Sequence, residues 1–135
     1  MSAISNSRKA PDWMGLVSDS LKQHGPWHTH ARLLEARASY PDDLSLRGYL
    51  EIVRNTITRD FLAQPKGLKA VPKLSSEFLT SFDRFNLTAQ EGYLISLIDG
   101  RLPVQKLMIL SPFDPFNTLF ILAKLQHENA ITVPQ

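Results

Sequence analysis

The sequence predicts a mainly α fold: a helical hairpin, one more long helix, and then a three-helix domain with at most short strands. Three observations carry that expectation. Apolar residues repeat at three- and four-residue spacings through most of the 135-residue chain. Capping residues stand just ahead of those repeats, and glycine or proline stands just behind them. Only Ala130-Ile131-Thr132-Val133, near the end, has the β-branched content of a strand.

The elements follow in order. Residues 1–11 are small and polar and read as a flexible tail. Asp12 is a good N-cap, and Trp13, Leu16, Val17 and Leu21 then line one helix face. Gly25-Pro26 should stop that helix near His24. A second helix is expected from about Trp27 to Ser39, burying Ala31, Leu34 and Ala38, with Leu33 beside them. Tyr40-Pro41-Asp42-Asp43 ends it and supplies the next cap. From Leu44 to Leu62 the pattern is clearest: Leu46, Leu50, Val53, Ile57 and Phe61 step by four, three, four and four. Gln64-Pro65-Lys66-Gly67 closes this helix. Val71-Pro72-Lys73-Leu74 looks extended, because proline disfavours helix at the residue before it. Residues 75–79 suit a short helical turn, and 67–85 as a whole read as a connector.

The last fifty residues hold three helices. Thr88-Ala89-Gln90-Glu91 is a capping box ahead of Tyr93, Leu94, Leu97 and Ile98. Asp99-Gly100 ends that helix. Pro103 opens a second, with Val104, Leu107, Met108 and Leu110 expected inward. Asp114-Pro115 opens a third, with Phe116, Leu119, Phe120, Ala123 and Leu125 mostly buried. Asn129 can close it in a left-handed conformation.

Composition bounds the function. Hydrophobic residues at 43% and charged residues at 21% describe a globular chain. No apolar run approaches the roughly 20 residues of a membrane helix, and no basic start leads into an apolar stretch. A cytoplasmic protein with no membrane insertion is therefore expected. Without cysteine there is no disulfide, thiolate zinc site, iron–sulfur cluster or cysteine nucleophile. The net charge of +2 is unevenly placed: residues 86–135 carry three bases against four acids, and the first 85 carry twelve against nine.

Two resemblances refine the reading. Trp13-x-x-Leu16, then Leu33, Ala36, Pro41 and Leu50, fall where a tetratricopeptide repeat places its core. The match is partial: Val17, Ser20 and Thr29 depart from the pattern, and Arg47 stands where a second repeat would begin with tryptophan. Residues 12–66 thus resemble one degenerate repeat and a capping helix. The second covers 86–135. Phe85-Asn86-Leu87-Thr88-x-x-Glu91-Gly92-Tyr93-Leu94-Ile95-Ser96-Leu97-Ile98-Asp99-Gly100 resembles the start of the PATAN, or DUF4388-like, domain. That resemblance implies a reduced winged-helix-like fold. It also implies a role in bacterial signalling through protein contacts, including motility or polarity control. Neither half has enough apolar face to stand alone, so one cooperative unit is expected.

A winged-helix-like unit raises DNA binding as the alternative function, but the helix from Pro115 to His127 has Lys124 as its only lysine or arginine, and recognition helices need bases for phosphates. His24, His28 and His30 invite a metal, yet Gly25-Pro26 interrupts the helix and a two-residue step puts His28 and His30 on different sides. There is no nucleophile elbow or glycine-rich phosphate loop, so no enzyme activity and no cofactor are expected. What remains is surface. Arg32, Arg37, Arg47, Arg54 and Arg59 stud the repeat-like helices, and arginine forks suit carboxylate or phosphate. Arg47 and Arg54 are one heptad apart and share a face. Phe113 and Phe116, flanking Asp114-Pro115, would anchor a partner if exposed, burial being their other fate. The expected activity is that of an adaptor whose partner is another regulatory protein with an acidic or phosphorylated surface. A homo-oligomer is also compatible, and nucleic acid is a less favoured partner.

Overall fold

The computed structural model describes residues 11–134, so the expected tail at 1–11 lies, but for Pro11, outside the described residues. Among the described residues the fold is mainly helical, with one two-stranded antiparallel sheet. The chain divides between Ile57 and Thr58 into two compact units.

The first unit begins with α1 (Trp13–Ser39), capped by the Asp12 side chain, which accepts from Gly15 N. Gly25 breaks it into two arms, with φ 82° and ψ 177°. Only glycine adopts that backbone readily, and Pro26 restarts the helix with a preset φ. In a continuous helix residues 20 and 29 would lie about 13 Å apart along the axis. Their hydroxyls are 2.7 Å apart, so the arms fold back on each other as a hairpin. At its open end the Trp13 ring meets Tyr40 edge-on at 5.4 Å. The indole Nε1 donates to Asp43 Oδ2 at 2.9 Å. Asp43 Oδ1 also accepts from Leu46 N, capping α2 (Leu44–Leu62) as expected.

The α2 face is buried as the spacing predicts, at Leu46, Leu50, Val53, Ile57 and Phe61. The second arm of α1 corrects the reading. Its buried residues are Thr29 and Leu33, whereas Ala31, Leu34 and Ala38 are exposed. The hairpin selects the stripe that meets Ser20 and Trp13. That stripe lies one residue, or about 100° of rotation, from the one that periodicity favoured.

The second unit ties the segment 67–85 to the end of the chain. A 3₁₀ turn (Gly67–Lys69) leads to Ala70, whose carbonyl accepts from Val104 N at 2.8 Å. Strand β1 (Lys73–Leu74) pairs with β2 (Ile131–Thr132), Lys73 opposite Thr132 and Leu74 opposite Ile131. Ser75 caps α3 (Ser76–Ser81) and donates to the Asn129 carbonyl at 2.6 Å. After the 3₁₀ turn Phe82–Arg84 comes α4 (Ala89–Leu97), with both hydrogen bonds of the Thr88–Glu91 capping box formed. Helix α5 (Val104–Leu110) has only seven residues and buries Val104 and Leu107. Leu110 points outward, against expectation, as does Tyr93 on α4. Helix α6 (Pro115–His127), capped by Asp114, buries residues 118–123 without interruption and Leu125 as well. Asn129, with φ 65°, then turns the chain into β2.

Candidate functional site

The exposed Leu34 and Ala38 line a groove of the first unit. The second arm of α1 contributes His30, Leu34, Arg37 and Ala38, which step by four, three and one. Helix α2 contributes Arg47, Leu50, Glu51 and Arg54, which step by three, one and three. Each set spans two helical turns on one face. The turn at 40–43 joins them, and Pro41 also lines the groove, whose volume is about 820 Å³. Its floor is aliphatic. Three arginines stand around it, and Glu51 is the one acid among the lining residues.

Two of the arginines are oriented. Arg47 Nη2 donates to the Pro41 carbonyl at 3.3 Å, which draws its head toward the turn. Arg54 Nη1 lies 3.9 Å from Glu51 Oε1, one turn back along the same helix. That pair is long, and the Glu51 side chain is 62% exposed, so solvent screens it and the groove keeps a positive balance.

Of the sequence-predicted site residues, Arg37, Arg47 and Arg54 come together. Arg32 does not. It sits beside a separate shallow depression lined by Pro11, Trp13, Leu16, Glu35 and Tyr40, because it is five residues before Arg37 and so lies on a different face of its helix. Phe113 and Phe116 are both half-buried, and Phe113 packs edge-on against Tyr93 at 6.0 Å. They present no open aromatic pair. Sequence reasoning missed His30, Leu34, Ala38 and Leu50 as groove residues. The legible signal was the heptad from His30 to Arg37, which mirrors the one from Arg47 to Arg54.

The histidines are arranged differently from expectation. The kink at Gly25 brings the His24 and His28 rings to 4.4 Å rather than parting them. His30 instead meets Trp27 edge-on at 6.4 Å. Among the described residues, no group of three or more His, Cys, Asp or Glu side chains could hold a metal ion. No helix among them is long and apolar enough to cross a membrane.

In the second unit the Glu91–Lys124 pair serves the fold. Glu91 is buried, accepts from Thr88 N, and pairs with Lys124 Nζ at 2.6 Å. Partial burial opposes the Lys124 charge, but the hydrogen bond that Lys124 donates to Glu91 and the charge of Glu128 outweigh it and hold its pKa above the usual 10.5. Asp43 is held below the ordinary carboxylate value first by the Trp13 indole. Asp99 and Asp114 are lowered first by the backbone N–H groups of Arg101 and Asn117. Along α6, residues 118–123 are buried around the whole circumference of the helix. No protein-family model, curated protein or solved structure matches this chain.

Proposed function

We propose that this protein is a non-enzymatic regulatory adaptor that docks an acidic or phosphorylated surface of a partner protein in the groove of its first unit. The observation that carries this reading is the grouping of Arg37, Arg47 and Arg54 around an aliphatic floor on two helices. Arginines held on helices lose less freedom on binding than arginines on loops, so the groove is prepared for a ligand of opposite charge. The resemblance of residues 86–135 to PATAN domains supports a setting in bacterial signalling, with motility or polarity control as the specific role.

The test is capture of partners by the full chain in its native cell, set against a chain carrying Arg37→Glu and Arg47→Glu. Both positions are exposed, so the fold should survive, as circular dichroism would confirm. The expected result is a reproducible partner that is lost from the double variant. Partners recovered equally by both chains would refute the groove. Turnover of a metabolite by the purified protein would refute the non-enzymatic reading.

A further inference from the structure

We infer that the occupant of this groove is an acidic amphipathic helix of the partner, with carboxylates one heptad apart and aliphatic side chains between them. The inference rests on the adaptor reading above and names the chemistry of the docked segment.

Arg47 and Arg54 are seven residues apart on a continuous helix, so their Cα atoms lie about 10.5 Å apart along its axis. Both heads reach back toward the helix N-terminus, Arg47 to Pro41 and Arg54 to Glu51, so their separation stays near one heptad. A phosphate calls for donors converging on one point. These two are held apart, with Leu50 between them in sequence and Leu34 on the facing arm. Such a surface matches a ligand that alternates charge and hydrocarbon over the same distance.

A helix does so with acids at i and i+7 and aliphatic residues at i+3 and i+4, the complement of Arg47-x-x-Leu50-Glu51-x-x-Arg54. Glu51 sets a further rule. It stands between the two arginines and would repel an acid at the middle of the ligand, so the centre must be neutral or basic. Arg37, from the other helix, adds a third positive contact to the same ligand.

The experiment uses the full chain and synthetic helical peptides of about 16 residues, long enough to hold helix when alanine-rich. The first carries Glu at i and i+7 with Leu at i+3 and i+4. A second has the same composition and the same leucine positions, with the acids moved to i and i+5, off a common face. A third replaces both leucines with glutamine. A fourth carries one phosphoserine and no leucine. Fluorescence anisotropy at low and physiological salt reads the affinities. The first peptide should bind tightest and weaken as salt rises. Arg37→Glu and Arg47→Glu should each weaken it by up to roughly fivefold, the range of exposed ion pairs.

Equal binding of the second or third peptide, tighter binding of the phosphoserine peptide, or no binding of the first would overturn the inference. If cellular capture still depends on Arg37 and Arg47 in that case, the adaptor reading stands and only the helix assignment falls. If capture ignores those charges, the adaptor reading falls whatever the peptides do.

Discussion

Two glycines of the first unit should respond to the same substitution with opposite sign. Gly25 holds φ 82° and ψ 177° at the hairpin kink, and a Cβ built there would meet nothing within 4 Å. Any cost of Gly25→Ala is therefore backbone strain alone. A non-glycine residue forced into so sparsely populated a conformation costs about 1–3 kcal/mol. Gly48 lies inside α2, is exposed, and would also place its Cβ in open space. There alanine removes the entropy penalty of glycine in a helix and should stabilise by about 1 kcal/mol. The two variants should differ by roughly 2–4 kcal/mol, the sum of these two effects. Both residues fall in one compact unit, so one urea transition, followed by circular dichroism, reports both. A Gly25→Ala variant as stable as the parent would show that the chain does not reverse at Gly25, and the hairpin would be wrong. A destabilising Gly48→Ala would show that its exposed surface is occupied.

Three further outcomes follow from the second unit and from the carboxylates. Lys124→Met leaves the Glu91 carboxylate, whose side chain is 6% exposed, without its cation, whereas Glu91→Gln keeps an acceptor for Thr88 N and leaves a lysine that water still reaches. Lys124→Met should cost about 2 kcal/mol, below the usual range for a broken buried pair because Lys124 is 31% exposed, and Glu91→Gln should cost less; the reverse order in thermal melts would refute this account. Asp43, Asp99 and Asp114 are depressed in the folded state, so they contribute stability above about pH 4 that is lost as pH falls through their folded values. The pKa of Lys124 is raised, so its contribution is complete below about 10.5 and is lost as pH rises past that value. Urea midpoints should therefore fall at both extremes, and a midpoint that rises between pH 5 and pH 3 would contradict the acid arm. Finally, a fragment of residues 84–135 lacks β1, the Ala70 carbonyl that receives Val104 N, and Ser75, which holds Asn129 and Ala130. It should give poorly dispersed NMR spectra, while the full chain should not; sharp signals from the fragment would show that these ties are dispensable.

Helix existence and helix ends were legible in the sequence because they depend on neighbours a few residues away. Asp12, Asp43, Thr88, Ser75 and Asp114 cap where their side chains reach an amide three residues on, and that reach is local. Gly25, Gly100 and Asn129 turn with positive φ, again a property of single residues. Helix α2 buried its predicted stripe because its apolar pattern has one dominant face. What only the tertiary structure decided is which face of the second α1 arm turns inward. Leu33 and Leu34 are adjacent, so periodicity scores both stripes almost alike; the contacts of Ser20 with Thr29 and of Trp13 with Tyr40 and Asp43 break the tie. That choice buries Leu33, leaves Leu34 and Ala38 beside Arg37, and so makes the groove. Residues 67–85 show the same limit: two-residue strands are too short for any periodic signal, and β1 exists only because β2, far along the chain, supplies its hydrogen bonds.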